Sequence, residues 1–570
     1  MMKNLQSIFY AGVLGTVLAA FLFLPAPALA EDEVEALKEQ LKTMQQQMEA
    51  VQQKLSTIEA TNTKKETTMA EMDDRLNQAE LHSATDKLAF GVELRTRGES
   101  IHYDNIATAP GAMINQFFIP WDGTPAGGFN GASLAQIQGA IGAMAAGGMI
   151  PPVEKTDVDN DVIFTNRLRL DMKSKFNDQL AFGGRLAAYK VFGDSTGVKF
   201  NSGSLGDVTF DGNTTSLPHG DVIRMERAYF NYKEDMGSIP VNFSLGRRPS
   251  NDGTPLEYAS YGMVGGSPLA TIINWQFDGA SLSFGLEDAT GIPGADFKLC
   301  YGVGFEGDWG NSSSLAGAQP DVEDVHMFGF IATLLDNEIT SAMLNYAHAW
   351  DVTDGFTGLT VMPFIVSNSG GVYNFTPNSG GFITRMEPST NIGDWDAASL
   401  LVKTNLSDWL ADIDLFLAGS WTHTDPSRIS RNPFYELMGM GLLSSNGELK
   451  ERDGYGIYGG AVFSTPFDGK LGLEYNWGSK YWFNFTGAED SLVGSKLAVR
   501  GSVYEAYYHQ PIFKDNFFVT FGTRFYDYEY TGSGNPLGKP VKISDITALD
   551  ALFPVVDEVW DGYVSVTFRY

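Results

Sequence analysis

The side chains best suited to chemistry are few and lie far apart in the sequence. Cys300 is the single cysteine among 570 residues, which excludes a cysteine-based zinc site, an iron–sulfur cluster and covalent haem attachment. No H-E-x-x-H, G-x-S-x-G or phosphate-binding glycine loop accompanies the scattered histidines, which are His82, His102, His219, His326, His348, His423 and His509. We therefore expect no cofactor, no resident metal ion and no enzymatic activity.

One acidic stretch resembles the start of a calcium-binding loop. Asp157-Val158-Asp159-Asn160-Asp161 places carboxylates at alternate positions, but Val162 stands where such a loop needs glycine and the terminal glutamate is missing. We therefore predict a solvated acidic loop. Divalent cations could still bridge loops of this kind to anionic lipopolysaccharide.

Basic side chains recur at alternate positions in three segments, which are Arg95 and Arg97, then Arg167, Arg169 and Lys173, then Arg185. In the barrel described next, all of them would line a pore together with Glu93 and Asp171. Lumenal arginines would form a positive wall that favours anions. Alternatively, Glu93, Asp171 and residues of an inward loop neutralise the arginines in ion pairs. The sequence leaves both possibilities open.

Apolar and polar residues alternate in the segments that would position these side chains. The last segment is the clearest, with Trp560, Val564, Val566, Phe568 and Tyr570 on one face and Asp561, Ser565, Thr567 and Arg569 on the other. Such alternation suits lipid outside and water inside. Charges opposite the apolar face are not typical of a soluble sandwich. Residues 87–570 therefore predict an all-β transmembrane barrel.

The connections between these segments alternate in length. Strands of about ten residues give about sixteen antiparallel crossings. The short connections lie near residues 177–179, 235–239, 291–296, 336–337, 406–411, 465–469 and 511–515, and the long ones near 101–160, 194–219, 250–278, 307–323, 352–395, 425–453, 481–495 and 531–556. An even count places both ends of the barrel on the side of the short turns, which bacterial barrels keep in the periplasm.

Two features of the connections give further expectations. The Gly/Ala-rich stretch 131–149 predicts a short helix that plugs the mouth. Aromatic residues near strand ends predict a girdle at the membrane interface, formed by Trp477, Tyr481, Trp482 and Phe483 and by Tyr526, Tyr528 and Tyr530.

The N-terminus predicts export. Lys3 precedes an uncharged apolar run from Ile8 to Leu24, and small residues at Ala28 and Ala30 fit a signal-peptidase site just before an acidic segment. Residues 1–30 therefore predict a cleaved signal peptide. The alternative is an N-terminal membrane anchor, because the run is nearly long enough to span a bilayer.

Residues 31–80 predict a periplasmic coiled coil. Apolar residues follow strict three-four spacing in Val34, Leu37, Leu41, Met44, Met48, Val51, Leu55 and Ile58, and the register continues through Asn62 and Lys65 to Ala79. The alternative is a single amphipathic helix lying on the barrel or on lipid. The charge of the whole chain is −30. This acidity argues against nucleic acid as a partner.

The C-terminus and the domain order carry a resemblance. The last strand resembles those of outer-membrane β-barrel proteins, whose terminal aromatic residue is recognised by the barrel assembly machinery; Phe568 and Tyr570 match it. A signal peptide, coiled coil and large barrel together resemble an uncharacterised, porin-like family of Gram-negative outer-membrane proteins, with Gly246-Arg247-Arg248-Pro249 and Asn251-Asp252-Gly253 as the matching segment. The resemblance implies residence in the outer membrane among lipid and lipopolysaccharide, and it implies no substrate. Porins of sixteen strands fold a loop inward after the fifth strand, which here predicts a constriction loop with Asp252 and Glu257.

Three functions remain open from the sequence. The first is a passive porin for small hydrophilic solutes or ions, a homo-oligomer (most simply a trimer) whose coiled coil is an oligomerisation stalk or a cell-wall tether. The second is a structural anchor with a closed barrel. The third is a barrel that sheathes an electron-transfer partner. An open, water-filled lumen would distinguish the first from the second.

Overall fold

The computed structural model describes residues 42, 88–113, 129–193, 223–307, 322–355, 358–362, 364–377, 383–386, 388–487 and 491–570. The chain divides into two units, Met1–Asp86 and Lys87–Tyr570. The predicted signal peptide and coiled coil lie outside the described residues, apart from Lys42, so both stay predictions.

The second unit is built mainly of strands. They are β1 Ala89–Thr108, β2 Ala132–Ser133, β3 Glu154–Lys175, β4 Leu180–Val191, β5 Arg224–Met236, β6 Ile239–Arg248, β7 Phe277–Gly285, β8 Asp296–Phe305, β9 Val325–Asp336, β10 Thr340–Thr353, β11 Gly358–Val361, β12 Phe364–Ser369, β13 Val372–Pro377, β14 Ile383–Met386, β15 Asn391–Asn405, β16 Ile413–Pro426, β17 Arg452–Ser464, β18 Lys470–Gly478, β19 Gly501–Phe513, β20 Phe517–Tyr528 and β21 Glu558–Arg569. The short helices are α1 Leu134–Ala146, α2 Glu257–Ser260, α3 Glu287–Thr290 and α4 Pro433–Leu437, with 3-10 turns at Pro466–Asp468, Lys496–Ala498 and Ile543–Asp545. None of the helices in the described ranges is long and apolar enough to cross a membrane.

Sixteen of the described strands close into one antiparallel barrel. Sequential strands are neighbours from β3 to β10 and from β15 to β21, β10 pairs with β15, and β1 closes the ring between β3 and β21. Leu94, for example, pairs with Leu168 on β3 and with Phe568 on β21. The predicted barrel and its strand count are confirmed.

The alternation along each strand sets the two faces of the barrel wall. Large apolar side chains point outward and are exposed, including Leu94, Leu168, Leu245, Leu400, Leu417, Phe521 and Val566. The residues next to them along the strand, such as Arg167 beside Leu168 and Ser399 beside Leu400, are buried on the inner side. An apolar outer face is what a barrel surrounded by hydrocarbon requires.

The two rims of the barrel differ as the linker lengths predict. The turn rim carries short connections, such as 176–179, 337–339 and 514–516, whereas the loop rim carries the long ones. Both ends of the barrel lie at the turn rim, where the backbone amides and carbonyls of Val92 and Tyr570 exchange two hydrogen bonds of 2.9 Å.

One segment differs from the sequence prediction. Asp157–Asp161 is not a loop: it belongs to β3, which with β1 continues well past the length of a bilayer crossing. The reason is pairing with β1, in which His102 opposes Asp159 with Nδ1 2.8 Å from its carboxylate and the Asn105 amide donates to Asp157.

The loop rim is covered by a second packed region, which we call the loop cap. It combines α1, β12, β13 and α4 with parts of the loops 427–451 and 529–557. Its buried apolar residues include Ile137, Phe364, Tyr373, Phe434, Leu442, Leu537 and Leu552. Helix α1 confirms the helix predicted in 131–149; Ser133 caps it, with the Ser133 and Gln136 side chains bonded reciprocally to each other's backbone amides.

Candidate functional site in the barrel lumen

The inner wall of β1, β3, β4 and β5 carries the predicted arginines. Strand register brings Arg95 opposite Arg167, Glu93 opposite Arg169, and Asp171 opposite Arg185. Like charges directly opposite each other repel, so this wall needs carboxylates close by. The described structure supplies them at several of these positions.

Glu93 links two basic side chains on the inner wall. Its carboxylate accepts hydrogen bonds from Arg167 Nη2 at 2.5 Å and from Arg569 Nε at 2.8 Å. Arg97 lies nearer the loop rim, 2.8 Å from Glu99 and stacked 4.0 Å over the ring of Tyr563. Arg95 faces the same side between them.

A second cluster forms around Asp252, the acidic residue predicted for the constriction loop. Its Oδ2 lies 3.2 Å from Arg169, 3.4 Å from Arg185 and 3.4 Å from Arg227. Glu226, fully buried, accepts a 3.0 Å hydrogen bond from Arg169. Arg185 also donates to Asp171 at 2.8 Å. The arginines of this cluster are therefore neutralised locally, and Lys173 remains solvent-exposed near the turn rim.

The loop that carries Asp252, residues 249–276, crosses the lumen; we call it the first inner loop. It leaves β6 and reaches strands on the far side of the ring. Glu257 accepts a 2.8 Å hydrogen bond from Lys403 on β15, and the ring of Tyr258 stacks on Phe416 of β16 at 5.1 Å. The Tyr258 carbonyl accepts a 3.0 Å bond from His509 on β19. The loop therefore obstructs much of the lumen.

A second inner loop, residues 479–487 and 491–500, packs beside the first. The Asn274 amide donates to the Phe485 carbonyl at 2.7 Å, and the Phe485 amide donates to the Ile272 carbonyl at 3.1 Å. Asn484 Nδ2 donates to the Thr271 carbonyl at 2.8 Å. These hydrogen bonds join the two inner loops into one body.

The aromatic residues of the second inner loop correct the predicted girdle. Trp482 and Phe483 lie inside the barrel, in an apolar cluster with Phe485, Ile273 and Trp395, and Tyr526 is also fully buried. The loop is long enough to fold inward, and Gly456 and Gly478 leave the space that Trp482 occupies, because a Cβ on either would lie within 3 Å of its indole. Aromatic residues at a strand end do not show whether the loop that follows folds outward to the membrane interface or inward into the barrel.

A charged network that the sequence analysis missed holds the second inner loop. Lys496 Nζ lies 2.6 Å from Glu474 and 2.5 Å from Glu505, and Glu505 also accepts a 2.8 Å bond from Arg524. Tyr458 and Tyr507 donate to Glu474 at 2.6 and 2.8 Å. The alternation along β18 predicts that Glu474 points inward. Its partner Lys496 lies in a loop, whose fold the alternation does not predict.

A buried carboxylate between β10 and β11 bonds to the segment 427–451 of the loop cap. Asp354 accepts hydrogen bonds from the Ser389 amide and hydroxyl and from the Ser430 hydroxyl. Burial raises the pKa of the Asp354 carboxyl, and these hydrogen bonds only partly oppose the rise. Across the described ranges, no group of three or more His, Cys, Asp or Glu side chains is placed to hold a metal ion.

The C-terminal residues lie on the outside of the turn rim. Phe568 points outward from β21, and Tyr570 is largely exposed. Their proposed recognition by an assembly machinery stays a prediction.

Comparison with solved structures gives matches of low similarity. The solved structures that resemble the barrel include OmpT, an outer membrane protein of Vibrio cholerae in its trimer form, at 11% identity over 85% of this chain and 99% of that one, with a TM-score of 0.38. Pseudomonas putida OprB gives 10% identity over 87% and 96% with a TM-score of 0.37. Salmonella typhi OmpF in complex with daunomycin gives 9% identity over 85% and 99% with a TM-score of 0.37. Identities of this size say nothing about function.

Sequence comparison gives a family. Among curated proteins, none matches this chain. One family model does match, over residues 157–570, which contain fourteen of the sixteen barrel strands and most of a fifteenth, β3. The chain belongs to the family described as "Protein of unknown function (DUF3373)".

Proposed function

We propose that this chain is an outer-membrane channel for passive diffusion of small hydrophilic solutes or ions. The observation that carries the proposal is the lumen: a closed barrel with an apolar outer face has an inner wall of arginines and carboxylates around an inward loop. Charged walls of this kind set selectivity in pores. The predicted signal peptide and the aromatic C-terminal strand support residence in the outer membrane.

The two inner loops restrict the solute path to one side. The apolar cluster around Trp395 and Trp482 packs against β7 to β10 and β15, and a second one around Leu401, Phe416 and Tyr458 packs against β15 to β17. We therefore propose that the path runs beside β1 and β3 to β6, where charged, polar and small side chains line the wall. Residues 31–80 would hold the barrels in an oligomer or tether them to the cell wall.

A structural anchor is the second candidate. The buried apolar clusters inside the barrel and the local pairing of the arginines favour it, because a lumen packed shut would conduct nothing. The anchor would contribute to envelope integrity through lipid, lipopolysaccharide and cell-wall contacts.

Conductance decides between the two candidates. Purified full-length protein in a planar bilayer should give discrete conductance steps. Glu257→Gln, which weakens the link between the first inner loop and Lys403, should enlarge those steps. Glu338→Gln in an exposed turn is the matched control and should leave them unchanged. A barrel that stays silent in both forms would be an anchor.

A further inference from the structure

Two basic side chains on the inner wall lack the carboxylate partner that others there possess. Arg97, Arg167, Arg169, Arg185 and Arg227 each lie within 4 Å of a carboxylate oxygen. Within the described residues, Arg248 on β6 and Lys298 on β8 form no ion pair. Arg248 Nε donates instead to Ser244 at 3.0 Å. Asp296 is the carboxylate nearest to Lys298 in sequence, two residues away on the same face, and does not pair with it.

These two cations flank a row of small polar residues. Register places Ser244 on β6 opposite Ser281 on β7, and Ser281 opposite Cys300 on β8. All three face the lumen, as do Arg248 and Lys298 by strand parity. Adjacent strands are about 4.8 Å apart, so the row is about 10 Å wide.

Ser281 adds an independent sign of a missing partner. Its side chain is only 3% exposed, and its hydroxyl makes no hydrogen bond with any described residue. A buried hydroxyl without a partner is costly, and such groups are normally satisfied by water or by a ligand. The unsatisfied donor lies between two unpaired cations.

A cavity adjoins this row. It has a volume of about 60 Å³ between the first inner loop and strands β7 to β10. Arg248, Ser250, Cys300 and Asn345 line it together with apolar residues of the cluster around Trp395 and Trp482, whereas Lys298 and Ser281 lie outside its lining. Gly279 and Gly302 also line it and project no side chain into it. A molecule of water takes about 30 Å³ in the liquid, so the cavity has room for an ion of a few heavy atoms.

We propose that this cavity binds a small inorganic anion, such as nitrate or chloride, at Arg248 and beside Cys300. A desolvated cation without a counter-charge is unfavourable, and an anion bound at Arg248 offsets that cost. The site deepens the channel proposed above and rests on it for access, since the anion must arrive through the lumen. It lies apart from the arginines around Asp252, whose charge is already neutralised.

The single cysteine provides the test, which measures binding without conduction. Purified full-length protein is labelled at one fixed alkaline pH, because the thiolate is the reactive form, with methanethiosulfonate reagents carrying a negative, a neutral or a positive head group. Rates are divided by those of free glutathione. The anionic reagent should be favoured at Cys300 by at least about tenfold over the cationic one, because focused charge concentrates anions. Sodium nitrate should slow the labelling more than the larger gluconate at equal ionic strength.

Matched variants complete the test. Arg248→Gln with Lys298→Gln should abolish both the charge preference and the protection by nitrate, whereas Lys514→Gln in an exposed turn should preserve them. Equal normalised rates in the unaltered protein, equal protection by nitrate and gluconate, or a thiol that no reagent reaches would each overturn the proposal. A silent bilayer recording with the labelling pattern intact would overturn the channel alone.

Discussion

The guanidinium of Arg169, on the barrel wall, lies 3.2 Å from the carboxylate of Asp252, on the first inner loop. The sequence predicts both residues for the lumen but on separate surfaces. Their contact means that the arginine both contributes charge and holds the loop. The electric field in the lumen therefore comes from paired opposite charges, because Glu93, Glu226 and Asp252 lie beside the arginines.

Replacing Arg167 and Arg169 with alanine tests that field. The variant keeps the carboxylates of Glu93, Glu226 and Asp252 while losing two positive charges, so the reversal potential in a salt gradient should shift toward cations. The control replaces Lys175, at the exposed end of β3, and Lys514, in a turn, with alanine and removes the same charge outside the lumen. Because salt screens exposed charges beyond about 8–10 Å, this control should leave the reversal potential unchanged.

The opposite result would be informative about the arginines. An unchanged reversal potential in the Arg167/Arg169 variant, or an unaltered channel that is already strongly cation-selective, would mean that these arginines serve only to hold the loop and the wall. Circular dichroism of the variant before reconstitution would establish that the barrel had formed.

The barrel was predictable because lipid imposes a simple rule on the sequence. Each crossing must place apolar residues at alternate positions, as Leu94 and Leu168 show, and each turn must be short on one rim. These are local patterns, so the strand count and both rims followed from them. The extension of β1 and β3 beyond the bilayer was missed because no such rule applies to the exposed strand ends.

The interior was less predictable because its contacts join distant residues. Lys496 meets Glu474 across 22 positions, and Thr271 meets Asn484 across 213. Neither residue type nor spacing marks such pairs. Strand parity predicts that Arg167 and Arg169 face inward, but which partner each of them finds depends on how a loop folds. The same limit explains the misplaced aromatic girdle.

Lys496→Met should destabilise the barrel strongly. The substitution leaves Glu474 and Glu505 buried with Lys496's positive charge removed, and breaking a buried ion pair costs about 3–5 kcal/mol. Urea unfolding in lipid vesicles would measure the loss. Lys539→Met, which removes a half-exposed partner of Glu448, should cost less than about 1 kcal/mol. If Lys496→Met lowers the free energy of unfolding no more than Lys539→Met does, the second inner loop is held by its apolar contacts.

The loop cap should be more stable in mild acid than at neutral pH. Because the folded-state pKa of Asp354 is raised, its contribution is fully present below the unfolded pKa of about 3.9 and is lost as the pH rises through the folded value. The amides of Ser389 and Thr390 both donate to Asp354, so their hydrogen-exchange protection would measure this pH-dependent stability. Asp354→Asn should remove the pH dependence, and Asp178→Asn in an exposed turn should retain it. Protection that rises with pH would contradict the assignment.

Residues 31–80 should self-associate as a parallel helical bundle, with a trimer as the expected state. The apolar seam runs from Val34 to Ile58, and Asn62 and Lys65 occupy neighbouring core positions, where polar residues fix the register at a cost in stability. The isolated peptide should therefore be helical by circular dichroism and trimeric by sedimentation equilibrium. Asn62→Leu with Lys65→Leu should raise the melting temperature and broaden the oligomer distribution. Gln53→Leu lies off the seam and should do neither. A peptide that stays unfolded and monomeric at high concentration would leave the barrel without its predicted stalk.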